Sequence, residues 1–545
     1  MTGLLTIRGA TTAAPRRRDL SLRRDQDLTD EHRNVGGTWP TYEPAHALAN
    51  TKRLAPLGAS TVQSPGGDVT VCHAPFMPFL RRRYTAESLV YLHAELRRTG
   101  VVEVPLNAAN LVPAGADGGV TATFGYGAAW WRDTALIGIA LADQRSVQLA
   151  KGLAGNALSA NQTHRFLTGI AHGAASADPA DMPQIKVNAD GTDLPGRWGH
   201  NQLDALGLGL FTMANAAHEE SFKGLGDLPK AAALVAAYLT RIDFTTVPCN
   251  GHWEEAGPKG EGAILTSSLG CVVHGMKALQ RWLAGDEDRA KRLDDYLRSV
   301  DGTVSGLGET LRTVGDDGQL LFSFERGDLR AAADKGAQVI RERYVGGEWH
   351  ETFRDSMGRA RKTDLALSTF ALLELACPTH DRVTTSPQLT GLVGQLERDL
   401  KGPMGYRRYN TDGWLAAYRN ADGPDPKARA EIGHHIAQRD TMIPGTSPEW
   451  TLGNGVMTHL YGRLAIETGD VRFRDKANEH LNRLLGNISA DASKGGRLAI
   501  TELFMHVRED KRYRYGGNGL DLNWSRAYVE LGVRTLRALV VAEST

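Results

Sequence analysis

From Thr85 onward, apolar residues recur at spacings of about three and four, the period of helices packed on one face. Thr85 caps a predicted helix through Leu96, with Glu87 in its first turn. Further helices are predicted at roughly 131–142, 144–172, 200–218, 227–241, 262–283, 287–299, 328–342, 363–376, 387–400, 448–467, 470–486 and 523–541. Strand signals are few and short, such as Val69–Val71 and Gln319–Phe324. No strong repeat of about 33–45 residues runs through the helices, which disfavours a simple solenoid. Residues 1–83 are rich in Arg, Pro, Gly and Thr and lack this period. They read as an N-terminal arm, partly flexible, ahead of one all-α domain over 84–545.

Several loops are long and aromatic, and they tend to precede every second helix: Phe124–Asp133, Gly196–Asp204, Cys249–Gly260, Tyr406–Trp414 and Gly517–Trp524. Long loops in a compact helical protein are usually functional. In paired concentric helices, alternate connections lie at one end. The expectation is therefore an all-α, (α/α) barrel whose aromatic loops gather around one pocket.

Composition narrows the function. Lys+Arg and Asp+Glu both count 63, for zero net charge, which argues against a nucleic-acid or anionic-membrane binder. The four cysteines, Cys72, Cys249, Cys271 and Cys377, lie far apart without CxxC spacing, so reduced thiols are expected and neither a disulfide framework nor a zinc site. Arg16-Arg17-Arg18 and Arg23-Arg24 are not followed by an apolar run, and no stretch of about 20 apolar residues occurs. The expectation is a cytoplasmic protein with no metal and no cofactor.

The candidate chemistry centres on Gly251-His252-Trp253-Glu254-Glu255. Carboxylates beside an indole are a setting in which one pKa rises, as a general acid requires. The same five residues also suit a pair of solvated loop glutamates beside a packing Trp. Tyr126 to Asp133 offers aromatic rings and an Arg-Asp pair, suited to the faces and hydroxyls of a sugar, or equally to a helix start with core tryptophans. In Gly196 to Asp204, Trp198 and Gln202 face one ligand or belong to a structural helix start.

These segments come in a familiar order. Trp130-x-Arg132-Asp133, Trp198-Gly199-x-x-Gln202-x-Asp204 and Trp253-Glu254-Glu255 resemble glycoside hydrolase family 15, the glucoamylases, glucodextranases and isomaltose-releasing relatives. Downstream, Arg408-Tyr409-x-x-Asp412-x-Trp414, Lys362-Thr363-Asp364, and Glu502 followed by Leu522-Asn523-Trp524-Ser525-Arg526-Ala527 are similar to further segments of that family. The similarity spans about residues 85–543. Gly251-His252-Trp253-Glu254 with Thr266-Ser267-Ser268 also resembles the toroid of the phosphorylase kinase α and β subunits, which are regulatory.

The first resemblance implies an (α/α)6 barrel that hydrolyses α-glucosidic bonds from non-reducing ends with inversion, releasing β-glucose. It implies Glu254 as general acid and Glu502 as base, their carboxyl groups roughly 6.5–9.5 Å apart to admit a water. Arg132 and Asp133 would grip the terminal sugar, Tyr126 and Trp130 would wall it, and Arg408 would add donors. Trp198, Gln202, Trp253 and Glu255 would position the acid or hold the next sugar, and Trp524 would wall the base side. Leu203 and His252 depart from the family pattern, and His200 and His252 read as packed neutral histidines. Glu449, in Ser447-Pro448-Glu449-Trp450, is a rival base whose place matches a structural helix start instead.

The expected partner is a small oligosaccharide or glycoside, isomaltose-type favoured, with no nucleic acid or membrane partner and no indication of an oligomer. The alternative is a non-catalytic toroid that binds carbohydrate or protein. A phosphorylase on the same barrel would need an anion pocket in place of the base, and nothing in the sequence singles one out.

Overall fold

The computed structural model describes residues 60–64, 67–71, 76–115, 126–178, 181–194, 200–219, 226–255, 262–300, 311, 313–355, 360–410, 412, 447–491, 497–500, 502–509, 512–517 and 522–544. In chain order, the helices begin with α1 (Ala86–Arg98), α2 (Trp131–Leu141), α3 (Gln144–Ala157), α4 (Ala160–His172) and α5 (Leu203–Glu219). Then come α6 (Asp227–Arg241), α7 (Thr266–Leu283), α8 (Asp288–Ser299), α9 (Asp328–Arg341), α10 (Leu367–Ala376) and α11 (Ser386–Leu400). The last three are α12 (Leu452–Thr468), α13 (Val471–Gly486) and α14 (Asn523–Ser544). The chain divides into two compact units, one over Val104–Leu400 and Ile432–Ala437, the other over Met1–Glu103, Lys401–Glu431 and Gln438–Thr545.

In the first unit, two kinds of helix are distinguished by side-chain chemistry. α2, α7 and α10 bury nearly every residue, and α5 does so along most of its length. A helix apolar on all sides has to be enclosed by others. α8, α9 and α11 instead bury one stripe, for example Leu329, Ala333, Gly336, Ala337 and Ile340 of α9. Two enclosed helices, α5 and α7, approach backbone to backbone. A Cβ on Gly207 would lie 2.4 Å from Val272 N, and one on Gly275 would lie 2.6 Å from Gly207 O. No residue larger than glycine fits this crossing without moving a main chain.

Short antiparallel pairs fix the chain just ahead of the enclosed helices. β3 (Ala129–Trp130) pairs with β4 (Lys186–Val187) before α2. Cys249 bridges Ala263 before α7, and Thr352 bridges Arg361 before α10. The hairpin β5 (Tyr344–Val345) with β6 (Glu348–Trp349) lies between α9 and α10. These pairs explain why α7 and α10 start at Thr266 and Leu367, four residues later than the periodicity alone predicts at 262 and 363.

In the second unit α12 is buried on nearly all sides and packs with α13 and α14. α1 docks beside α14, where the Arg526 guanidinium donates to the carbonyls of Gly100 and Glu103 at 3.0 and 2.8 Å. The Tyr84 hydroxyl donates to Asn482 Oδ1 at 2.6 Å. β1 (Ser60–Ser64) and β2 (Gly67–Val71) form a hairpin that takes in the predicted Val69–Val71. β7 (Glu449–Trp450) pairs with β10 (Leu503–Glu509), which pairs in turn with β11 (Arg512–Gly517). β8 (Ile488–Asp491) pairs with β9 (Arg497–Ile500).

Three expectations need correction. The single helix over 144–172 is two, broken at Leu158–Ser159, where Ser159 is extended at φ −62° and ψ 149°. The break follows Asn156, whose side chain accepts from Trp131 Nε1 at 2.8 Å and donates to Gly191 O at 2.8 Å. Both partners lie far along the chain and Ser159 makes no side-chain capping bond, so the break goes with tertiary contacts and not with a local cap. Gln319–Phe324 is not a strand: only Leu320 is bridged, to Val314, and Phe324 N donates to the Asp294 carboxylate. The helix expected from 448 begins at Leu452, because Glu449 and Trp450 belong to β7.

Gly207→Ala is expected to cost about 1–3 kcal/mol, as overpacking does. Gly155→Ala, whose added methyl meets nothing within 4 Å, should be neutral or stabilise by up to about 1 kcal/mol. Urea unfolding followed by circular dichroism separates the two, and equal midpoints would remove the tight α5–α7 crossing from the account.

Candidate active site

Four of the first unit's predicted residues converge on one guanidinium. Trp130 closes β3, so Arg132 and Asp133 fall in the first turn of α2, both buried. Arg132 donates through one Nη to Gln202 Oε1 at 3.1 Å and through the other to Glu254 Oε1 at 3.0 Å. Asp133 and Asp204 lie 3.9 and 3.8 Å from the same group. Burial opposes the Arg132 charge, but three carboxylates outweigh it and hold the guanidinium above its ordinary value. Burial pushes the Asp133 carboxyl up to about 6, against the pull of Arg132.

Glu254 reaches this fork through a left-handed backbone. Its φ is +59°, and Gly251, at +61°, shares the turn. A Cβ on Gly251 would come within 2.1 Å of Leu265 Cδ1, so the turn requires glycine. A non-glycine residue in this region carries about 1–2 kcal/mol of strain, and the surrounding bonds hold it. Glu254 N donates to Gly251 O at 3.1 Å, Glu255 N to Asn250 O at 2.9 Å, and Asn250 N to Asn201 O at 2.8 Å.

The adjacent carboxylates point to different partners. Glu255 Oε2 accepts from Arg361 at 2.5 Å, and Arg361 also donates to Asp364 Oδ2 at 3.0 Å. Asp364 Oδ1 accepts from Trp253 Nε1 at 2.7 Å and from Ala366 N at 2.8 Å. Trp253, Glu255, Arg361 and Asp364 line a cavity that Glu254 does not. Trp253 therefore anchors the loop through its indole nitrogen. Behind it, Ser267 N and Oγ donate to the two oxygens of Glu351, at 3.0 and 2.5 Å. Burial, with Asp364 nearby, pushes Glu351 up to about 8, and burial raises Asp364 as well.

Tyr126 stands edge-on to Trp130, ring centroids 6.1 Å apart, and Lys186 Nζ lies 4.4 Å over the Trp130 ring. Trp131 is core, its ring against Phe166 and its Nε1 bonded to Asn156. Both histidines are buried and hold low proton affinity: burial, then Arg165 and Lys186, takes His200 to about 4, and burial lowers His252. Trp198 lies outside the described residues, as does Trp414.

The second unit carries the remaining candidates. The Glu502 side chain is buried, and its carbonyl accepts from Thr451 N at 3.0 Å. The rival Glu449 is committed to the main chain: Oε2 accepts from Met404 N at 2.7 Å and Gly405 N at 3.0 Å. Arg408 makes a two-toothed pair with Asp412, both bonds 2.7 Å, and its guanidinium lies 5.5 Å from the Trp450 ring. Trp524, in the first turn of α14, is buried and edge-on to Tyr528 at 5.9 Å.

Sequence reasoning did not find Arg361, Glu351 or Lys186. Arg361 adjoins the noted Lys362-Thr363-Asp364 segment, so its signal was proximity. Lys186 sits in an unremarkable run and is brought to Trp130 only by strand pairing. Among the described residues no group of His, Cys, Asp and Glu is arranged to hold a metal ion, and no helix is long and apolar enough to cross a membrane.

The architecture is an all-α (α/α)6 barrel, a fold that solved glycosidases share. A glycosidase variant in complex with glucose matches with a TM-score of 0.52 at 15% identity, over 84% of this chain and 99% of that one. The glucoamylase from Saccharomycopsis fibuligera matches with a TM-score of 0.50 at 14% identity, over 85% and 97%. At such identities the likeness is one of fold. No protein-family model and no curated protein matches the sequence.

Glu351 gives this site a pH signature. Its folded value of about 8 lies above the ordinary 4.5, so the folded chain keeps a proton that the unfolded chain releases. The stability it contributes is complete below the unfolded value and is lost as pH rises through the folded one, at up to about 1.4 kcal/mol per pH unit. Thermal unfolding of wild type and Glu351→Gln across pH 5–8 should show the wild type losing ground to the variant as pH rises. A constant difference would contradict a protonated Glu351.

Proposed function

We propose that the chain is an inverting, exo-acting glycoside hydrolase that releases β-glucose from the non-reducing ends of short α-glucosides, isomaltose-type substrates favoured. The observation that carries this reading is the Arg132 fork, which joins Gln202 to Glu254 within a fold that glycosidases share. A glucose-bound neighbour supports glucose as the sugar.

In this reading Glu254 protonates the leaving oxygen and Glu502 activates the water. Glu255 is held by Arg361 and positions the loop without touching the reacting bond. Arg132 and Asp133 receive the terminal hydroxyls: the guanidinium donates and the carboxylate accepts. A hydroxyl accepting from Arg132 would take the place that Glu254 holds on the fork, leaving the Glu254 carboxyl to the glycosidic oxygen. Tyr126 and Trp130 offer their ring faces to the sugar, with Trp198 and Gln202 beside the leaving group. Arg408 and Trp524 belong to the base side, where Arg408 is already oriented by Asp412. Glu449 is the less favoured base in this reading, since two main-chain amides donate to its Oε2 and tie the carboxylate to the chain at 404–405.

Isomaltose, maltose, trehalose, nigerose, kojibiose and dextran, followed by proton NMR of the released sugar, test the reaction. β-Glucose should appear first. α-Glucose first would overturn inversion, and no release from any of them would leave the carbohydrate- or protein-binding toroid. Glu254→Gln and Glu502→Gln should each lower kcat by about 10²–10⁴ with the fold retained, whereas Glu449→Gln should act chiefly on stability. Near-wild-type turnover in Glu502→Gln would remove it as the base.

A further inference from the structure

α7 and α10 carry a second chain of titratable groups, which the proposed reaction does not use. Cys377 caps the C-terminus of α10, and its Sγ lies 3.3 Å from His274 Nδ1 on α7. His274 Nε2 lies 2.7 Å from Glu374 Oε1. Glu374 is fixed in turn: Val383 N donates to Oε1 at 2.8 Å, Thr384 N to Oε2 at 2.9 Å, and the Thr384 hydroxyl also bonds Oε2. His274 and Glu374 are fully buried, and Cys377 is 4% exposed.

The order of these bonds sets the proton positions. A carboxylate that receives three N–H or O–H donors is ionised and needs a fourth donor, not a lone pair, from the imidazole. Nε2 therefore carries a hydrogen toward Glu374, and Nδ1 is left to face sulfur. Once Nδ1 is protonated as well, it donates to a thiolate. The other charges around the sulfur favour that state on balance. Arg281 Nη1 on α7 lies 3.9 Å from Sγ and pairs with Asp381 at 3.0 Å. Lys277 bonds the Asp381 carbonyl at 2.5 Å, with Arg341 of α9 near it. Glu374 and Asp381 are the opposing anions, and the carbonyl end of α10 also disfavours negative charge.

The balance singles out this thiol among the described cysteines. Burial alone would push Cys377 up, yet the His274 cation holds it below its ordinary value. Burial would lower His274, but Cys377 and Glu374 raise it to about 9. Cys249 and Cys271 have no such partner: burial takes the first up to about 12 and the second well above its ordinary value.

We propose that Cys377 is a modification site, a thiolate paired with His274 and oriented by Glu374, that reacts with a small oxidant of the peroxide class. The sulfur attacks one peroxide oxygen, the O–O bond breaks, and an S–O bond forms. Sulfur is oxidised by two electrons to a sulfenic acid. The departing hydroxide takes the Nδ1 proton of His274 and leaves as water. With the Cys377 residue only 4% exposed, the site suits hydrogen peroxide and not a bulky disulfide.

The test treats the full native chain with hydrogen peroxide, traps sulfenic acid with dimedone and maps the adducts by peptide mass spectrometry. Cys377 should be labelled about tenfold faster than Cys249 or Cys271. Independently, the ultraviolet thiolate absorbance of wild type should exceed that of Cys377→Ser at neutral pH. His274→Asn should abolish that excess, and Glu374→Gln should reduce it if the asparagine variant fails to fold. Equal labelling of the three cysteines, or no absorbance difference between wild type and Cys377→Ser, would overturn the proposal.

Discussion

Asp364 is the point on which the first unit's candidate site depends. It is fully buried, and one of its oxygens holds both the Trp253 indole and the Ala366 amide, while the other holds Arg361. A buried carboxylate without partners costs several kcal/mol, so the groups around it have little freedom to leave. Through Trp253 it fixes the residue before Glu254, and through Arg361 it fixes the residue after. Glu254 is thus clamped on both sides while its own carboxyl remains outside the clamp. That is how a loop sustains a left-handed glutamate, whose strain would otherwise relax by turning the peptide.

The same residue type is given different work by its partners. Glu254 and Glu255 are neighbours in sequence, yet one meets the Arg132 fork and the other the Arg361 fork. Glu449 lies on β7 and Glu502 just before β10, where Leu503 pairs with Trp450, and the Glu449 carboxylate is bound by amides that the Gly402–Gly405 turn presents to it. A Cβ on Gly402 would fall within 2.1 Å of that carboxylate, so the turn and the glutamate were fitted to each other. Such closeness shows how tightly the Glu449 carboxylate is packed against the turn.

Much of this was legible in the chain because helix period and helix burial are local properties. The starts and ends of α6, α8 and α13 fall within a residue or so of the periodic segments, since Gly226, Glu287 and Asp470 stand at true boundaries. The failures occurred where a distant partner overrides the local signal. Ala263 reads as helix but pairs with Cys249. Residues 144–172 read as one helix, but Asn156 is claimed by Trp131 and Gly191. β10 and β11 went unread because a hairpin's register depends on pairing, which no single segment encodes. At the site, the motifs named Arg132, Asp133, Gln202 and Glu254, which the structure brings to one fork. The bonds of Trp253 to Asp364 and of Arg408 to Asp412 appear only when side chains are placed.

The two arginine forks show why placement matters. Arg408 spends its Nε and one Nη on a single carboxylate in a planar, two-toothed pair, the most rigid arrangement available to a guanidinium. Arg132 divides its two Nη groups between a neutral amide and Glu254, with Asp133 and Asp204 nearly 4 Å away. Its longer contacts are weaker and more readily exchanged for hydroxyls of similar geometry. A guanidinium in a closed pair orients its neighbours, whereas one shared among several longer contacts can trade a partner for substrate. On that distinction, in the proposed reaction, Arg132 would receive the ligand and Arg408 would hold a wall in place.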